Sequence, residues 1–536
     1  DDRYTREAGH LDVAPNEGDS AVGCHAPFEW HDGWTCDYTL DVRGGWYDAG
    51  DHGKYVVNGG ISVWQLLDTW ERAVLLYGTA GAENSFLGDS TAQLPERGNG
   101  VPDILDEARW ELEWMRKMIV PAGQQYEGML HHKVQNDAWT GLPLLPALDD
   151  KPRQLHRPST AATLNFAAAA AKGARLLEPY DADFAAALLA DGAAAWQAAL
   201  ANPEVYANVL DGNTGGGPYD DDNVTDEFYW AAAELFLSTG EQQYVDHLEA
   251  NDWHGADLRS EGGFAWQDTA MLGAISLATV PSDLPSRQQV VDAVLHAADY
   301  YLSVADRSVF GMAYSPTSST FGWGSNSSVV NNTIVLAVAY DITGDAKYRA
   351  AALESMDYLL GRNVLNISYV TGYGTVYAQN QHHRWMAPSM SNDLPPVYPG
   401  TLAGGPNSGI EDPVAKATWP AGCRAQWCYL DDIQSWSTNE MTINWNAALT
   451  WYAAWVTDQE SPTTAAEESK GFAPFFWVGL GLAALLAAGA LLVQRSKHDD
   501  DALADLAAEA GEEFAPEHSA PEESGEEPEQ SDTPHG

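Results

Sequence analysis

The sequence predicts an all-α fold, a helical barrel or solenoid, on three observations. Runs rich in Ala and Leu repeat their apolar residues at helical spacing and stop at Gly or polar residues. No run alternates apolar and polar residues as a half-buried strand would. Long loops full of Gly, Pro, Trp and Asn join the runs, and recurrent helix pairs on such loops bury their faces by stacking into barrels or solenoids. In chain order the predicted helices are "ISVWQLLDTWERAVLLYG" (61–78), "STAATLNFAAAAAKGARLL" (159–177), "DADFAAALLADGAAAWQAALA" (181–201), "TDEFYWAAAELFLSTG" (225–240), "SRQQVVDAVLHAADYYLSVA" (286–305), "NNTIVLAVAYDITG" (331–344), "AKYRAAALESMDYLLG" (346–361) and "NEMTINWNAALTWYAAWVT" (439–457). Loops as long as those between them usually carry function in a compact domain.

The chain has 536 residues, 45% hydrophobic and 11% aromatic, enough for a large core with aromatics left over for a binding surface. Its formal charge of -50 repels phosphate and excludes nucleic acid as a partner. The same charge suits a neutral substrate and keeps an exported protein soluble; salt adaptation would produce it too.

Beyond residue 457 the composition changes. "DQESPTTAAEESKG" (458–471) reads as a linker. The run "FAPFFWVGLGLAALLAAGALLV" within 472–494 has no charged residue, and a helix of that length spans roughly 30 Å, a bilayer core. Arg495 and Lys497 follow it, which orients a single-pass helix with its C-terminal side in the cytoplasm. Apart from those two cations, the tail 495–536 is rich in Glu, Pro and Ser and is expected to be disordered. Residues 1–457 then lie outside the cytoplasm, exported by a signal not visible at "DDRYTREAGH". Disulfides persist there, and the local pairs are Cys24 with Cys36 and Cys423 with Cys428. Zinc competes for the first pair, because "CHAPFEWHDGWTC" also carries His25 and His31.

Two segments concentrate carboxylates among glycines and aromatics. "GGWYDAGDHGKYVVNGG" holds Asp48 and Asp51 three apart on a Gly-rich loop, beside Trp46, Tyr47 and Tyr55, whose faces could stack on sugar rings. Turn and capping chemistry is the plain alternative for these aspartates. "YLDDIQSWSTNEMTINWNAAL" places Glu440 at a predicted helix start, where Ser437-x-x-Glu440 has the form of a capping box. A helix N-terminus would lower its pKa, whereas Trp436, Met441 and Trp445 could raise it by desolvation.

Together these segments resemble glycoside hydrolase family 9, cellulases with an (α/α)6 barrel, from about residue 7 to 456, within a catalytic domain at 1–457. Tyr429, Asp431, Trp436, Glu440, Thr442, Asn446 and Ala447 fit the family's C-terminal acid motif. "SYVTGYGTVYAQNQHHR" is similar to its histidine motif, with Gln381 where proline or an aliphatic is usual. The likeness is to bacterial members with an immunoglobulin-like domain ahead of the barrel. The family's usual segment before "REAGH" is not in the sequence, so the first barrel helix is expected to be missing.

The resemblance implies an endo-β-1,4-glucanase working by inversion on cellulose at the cell surface, with no cofactor for catalysis. Glu440 would be the acid, Asp51 the base, and Asp48 the holder of the attacking water. His382 and Arg384 would bind sugar hydroxyls, with Trp323, Trp445 and Tyr55 as aromatic substrate contacts. It further implies structural calcium on Asp226, Glu227 and Asp268, with Asp222 and Asn223 adding oxygens. An exo-acting or mixed-linkage glucanase, or a catalytically silent membrane-anchored glycan-binding protein, are the alternatives.

Overall fold

A computed structural model describes residues 2–213 and 215–460. Most of the linker 458–471, the predicted span 472–494 and the tail 495–536 lie outside the described residues, as does any helix ahead of Asp1. Eleven long helices are described: α1 (Val56–Tyr77), α2 (Asp103–Lys117), α3 (Thr160–Leu177), α4 (Ala182–Ala201), α5 (Thr225–Thr239), α6 (Gln242–Ala250), α7 (Ala270–Thr279), α8 (Arg287–Arg307), α9 (Ser325–Thr343), α10 (Ala346–Leu359) and α11 (Ile443–Glu460). The odd-numbered helices pack each on the next, and α11 closes on α1, giving an inner ring of six. The even-numbered helices pack outside it, α2 on α1 and α3, α4 on α3 and α5, α6 on α5, α8 on α7 and α9, and α10 on α9. This is the α/α barrel expected from the sequence. Among the described residues no long helix covers the outside of the α11–α1 junction. Among the described residues one helix, α4, is apolar and long enough to cross a bilayer, but it packs in the barrel wall.

Local chemistry explains the elements. Ser159 caps α3 by accepting from the Ala162 N–H (3.1 Å), and Asp181 caps α4 through the Phe184 N–H (3.0 Å). The small side chains of Ala167–Ala171 are all buried, which lets α3 sit close to both neighbours. Trp64, Trp230, Trp451 and Trp455 are fully buried and fill the ring. The Trp451 indole N–H donates to Asp68 (2.8 Å), and the fully buried Lys172 ammonium donates to Asp68 (2.9 Å) and Glu71 (2.5 Å). These partners offset the desolvation of the charges.

Short strands supplement the helices. β1 (Val22–Gly23) pairs antiparallel with β2 (Thr39–Leu40). β3 (Lys54–Tyr55), β4 (Lys133–Asn136) and β5 (Arg153–Leu155) form an antiparallel sheet with β4 central, Lys54 opposite Val134. β3 runs directly into α1, so the sheet fixes the loop ahead of that helix.

Both disulfides form as the local pairing expects, with Cα atoms 5.5 Å apart for Cys24–Cys36 and 5.6 Å for Cys423–Cys428. This removes the zinc alternative at Cys24, His25 and Cys36, since the sulfurs are bonded to each other. His25 stacks on Phe28 at 4.3 Å and hydrogen-bonds the Ala26 carbonyl (2.5 Å).

Candidate active site

The inner helices run the same way, so the loops ahead of them meet at one end of the barrel. Asp48 and Asp51 precede α1, Tyr219 precedes α5, Trp266 precedes α7, Trp323 precedes α9 and Glu440 precedes α11. The structure thus brings together acids almost 400 residues apart in sequence. The two acid segments touch directly, since the Ile443 N–H at the head of α11 donates to the Asp48 carbonyl (2.9 Å).

Asp48 is buried, and both carboxylate oxygens have donors, Asn58 Nδ2 to Oδ1 (2.7 Å) and the Tyr219 hydroxyl to Oδ2 (2.5 Å). Burial, then the charge of Asp51, push its pKa up to about 7 against those hydrogen bonds. Asp51 is partly buried, and its Oδ2 accepts from the Tyr55 hydroxyl (3.0 Å). Tyr219 adopts a left-handed φ of 46°, uncommon for a bulky residue and a form of strain that gathers at functional sites. Its ring meets Trp266 edge-on at 5.1 Å.

Glu440 is not the start of a helix. It ends the short helix Trp436–Asn439 in an extended conformation, separated from α11 by Met441 and Thr442. The capping box is absent, because the Ser437 hydroxyl donates to Asp412 instead (2.5 Å). Burial first, then the charges of Asp51 and Asp48, raise the Glu440 pKa to about 8. Desolvation therefore wins over any helix-terminus effect, and the carboxyl is protonated at neutral pH, as a general acid requires.

The histidine segment runs beside Glu440: the His382 N–H donates to the Asn439 carbonyl (2.8 Å), and the Gly404 N–H donates to the Glu440 carbonyl (2.8 Å). His382 donates from Nδ1 to the Ile433 carbonyl (2.6 Å), leaving Nε2 for a ligand. A Cβ at Gly50 would lie 2.5 Å from the His382 ring, so only glycine permits this approach. Arg384 is buried and donates to the Gly50 carbonyl (2.6 Å) and to Thr140 Oγ1 (2.5 Å). Its donors hold the DAGD turn rather than standing free for sugar. Gln381 is buried with neither amide atom hydrogen-bonded to the described residues.

Two aromatic assignments are corrected. Trp445 is 8% exposed, wedged against the backbone at Gly324 and Gly404, and Tyr55 is 1% exposed, so neither offers a face to a sugar ring. Trp323 is 46% exposed and does. Sequence reasoning passed over Tyr219 and Trp266; the signal available was an aromatic directly ahead of an acid run or a predicted helix gap.

The acid run before α5 forms a second carboxylate cluster. Asp226 Oδ2 accepts from the Thr269 N–H (2.7 Å) and hydroxyl (3.2 Å). Asp226 Oδ1, both oxygens of Glu227 and Asp221 Oδ2 are buried without a donor among the described residues. Burial, then the charges of Asp226 and Asp221, drive the Glu227 pKa far up, and burial lifts Asp221 to about 7. Asp268 is exposed, and its pKa is raised by burial of its carboxyl and by Asp226. Asp222 and Asn223 are exposed and Asn223 Oδ1 accepts from the Thr225 hydroxyl (2.8 Å), so Asp221 takes the place expected of them.

Another trio, His10, His52 and Asp149, has ligand atoms within 4.8 Å of one another. It works as a hydrogen-bond network: Asp149 Oδ2 accepts from His52 (2.6 Å) and Asn136 (2.7 Å), and Arg153 raises the local positive charge. A cavity of about 160 Å³ lies at the α11–α1 junction, lined by Asp48, Asp51, Leu66, Phe86, Trp385 and Thr450. It reaches the aspartate pair from the α11–α1 side, whereas Glu440, Tyr219 and Trp266 are not in its wall.

Comparison with known proteins agrees with this geometry. The chain is 56% identical over 462 residues to Endoglucanase C of Cellulomonas fimi, covering 86% of this chain and 41% of that protein. It is 44% identical over 479 residues to a cellulose 1,4-beta-cellobiosidase of Acetivibrio thermocellus, covering 85% of this chain and 53% of that protein. The chain thus spans about half the length of these relatives. The structure of a metagenome-derived glycoside hydrolase family 9 endoglucanase aligns with a TM-score of 0.70 at 32% identity, over 84% of this chain and 78% of that one. With the profile of glycosyl hydrolase family 9 matching residues 1–453, the chain belongs to that family.

Proposed function

We propose that this chain is an endo-acting β-1,4-glucanase that cleaves cellulose with inversion. The observation that carries the reading is the contrast between Glu440, desolvated with its pKa at about 8, and the hydrogen-bonded Asp48–Asp51 pair on the neighbouring turn. An inverting hydrolase needs an acid on the leaving oxygen and a base on water at the opposite face, with carboxyls ~6.5–9.5 Å apart. Asp48, fixed by Tyr219 and Asn58, holds the water. Asp51 takes one proton as the water oxygen bonds to the anomeric carbon. Glu440 gives its proton to the departing glycosidic oxygen as that bond breaks. His382 Nε2 faces sugar hydroxyls, and Trp323 and Trp266 supply stacking faces.

Calcium fits the donor-poor oxygens of Asp221, Asp226 and Glu227, with Asp268 nearby, a hard-cation set. Bound there, it would neutralise the cluster and brace the loop that carries Tyr219.

Viscosity loss against reducing-end release on carboxymethylcellulose, mixed-linkage glucan and xylan tests the activity. Rapid viscosity loss per bond cut supports endo action on cellulose. Slow viscosity loss with cellobiose release supports the exo reading, which the relative named as a cellobiosidase favours.

Attachment to the cell through 472–494, barrel outward, is part of the same proposal and rests on the apolar run and on Arg495 and Lys497. Protease shaving of intact cells should remove the barrel and spare a tail-bearing stub; a tail digested from outside refutes it.

A further inference from the structure

Tyr55 stands on β3, and its hydroxyl is clamped between two parts of the chain. It donates to Asp51 Oδ2 at 3.0 Å and accepts from the Gly217 N–H at 3.0 Å. The ring is 1% exposed, so no water competes for these bonds. Gly217 is held from its other end as well, since the buried Lys133 ammonium donates to its carbonyl (2.6 Å). The surroundings admit nothing larger. A Cβ at Gly216 would lie 2.2 Å from the Tyr55 hydroxyl, and one at Gly53 would lie 2.5 Å from it. The chain from Lys133 to Asp51 is therefore continuous and tightly enclosed.

We propose that Tyr55 is a positioning residue for the base: its hydroxyl, oriented by Gly217, fixes the Asp51 carboxylate toward the attacking water. This rests on the reading of Asp51 as the base. A phenol that already accepts from an N–H has its own proton directed at the carboxylate, so the oxygen it meets is held in one place. The other ionisable groups facing Asp51 are Asp48 on the same turn, Glu440 across the cleft, His382 from the histidine segment and Lys133 from β4. All of them remain when only the Tyr55 hydroxyl is removed.

The test is Tyr55→Phe, which keeps the ring and its packing, assayed on cellohexaose and on β-cellobiosyl fluoride across pH. Fluoride departs without help from an acid, so this substrate reads the base step alone. The expected result is a fall in kcat of about tenfold on both substrates, with KM nearly unchanged. The loss should fall on kcat alike for both substrates, because a misaligned base slows the attack of water whatever the leaving group. Gly216→Ala, which pushes a methyl against the Tyr55 hydroxyl and Gln135 Oε1, should lower kcat in the same way. A merely structural tyrosine would lower the melting temperature and leave kcat in place on both substrates; that result overturns the proposal. Asp51→Asn is the control. If it hydrolyses the fluoride at the parent rate, the base reading itself fails; if it is silent while Tyr55→Phe matches the parent, only the role of Tyr55 fails.

Discussion

In the cleft, Asp48 and Asp51 receive Tyr219, Asn58 and Tyr55 as donors, while at the head of α5 the oxygens of Asp226, Glu227 and Asp221 are left largely without them. Both groups are carboxylate clusters ahead of inner helices, and burial raises the pKa of Asp48 and of Asp221 alike to about 7. The difference is in what completes them. Donors from the protein direct each lone pair and leave a geometry suited to one water. Bare oxygens converge on a space that a cation would satisfy. The partner of an acid, more than its burial, separates chemistry from scaffolding.

Removing the acids of the cleft should have the largest effect. Glu440→Gln and Asp51→Asn are each expected to lower glucan hydrolysis by about 10²–10⁴-fold with the fold retained, read by kcat/KM and circular dichroism. Near-normal activity in either would erase the distinction between the clusters.

The second cluster should answer to a cation and not to chemistry. A chelator is expected to lower the melting temperature and calcium to restore it, a loss of about 2.7 kcal/mol if the ion had been at a hundredfold excess over its Kd. Asp226→Asn should abolish the chelator response while kcat moves little. An unchanged melting curve, with no metal by elemental analysis, would remove the cation from the comparison.

The pH profile sharpens the assignment of the acid. With Glu440 titrating at about 8, activity should fall as pH rises through that value, and Glu440→Gln should lose this basic limb.

The smallest effect is on stability. Because the folded-state pKa of Glu440 lies above the ordinary 4.5, its stabilising contribution is complete below that value and is lost as pH rises toward 8. Glu440→Gln should therefore raise the melting temperature at pH 8 by about 1–2 °C and leave it unchanged at pH 4.

Much of this was legible in the sequence where local pattern and long-range structure agree. The Ala/Leu periodicity of α3 and α4 located them to within a residue at each end. Their Ser159 and Asp181 caps mark the starts. Other helices were hidden. In α2 the acids Asp103, Asp106, Glu107 and Glu111 are buried and break the apolar period, and α7 is an apolar run too short to tell from a strand. The strands were missed because they are two to four residues long.

The acids themselves were readable from "DAGD" and from Glu440 in its motif. Their partners were not, because Tyr219 and Gly217 meet Asp48 and Tyr55 across more than 160 positions of chain. Burial was also unreadable: Trp445 and Tyr55 have the composition of sugar platforms, but Gly324, Gly404, Gly53 and Gly216 let backbone close over them.

The central claim, that Asp51 activates water on one face while Glu440 protonates the leaving oxygen on the other, fixes the stereochemistry of the product. Proton NMR of cellohexaose hydrolysis, followed from the first minutes before mutarotation, reads it directly. The expected result is new reducing ends appearing as the α-anomer and relaxing later to the equilibrium mixture. A β-anomer appearing first would mean retention through a covalent intermediate and would contradict the account.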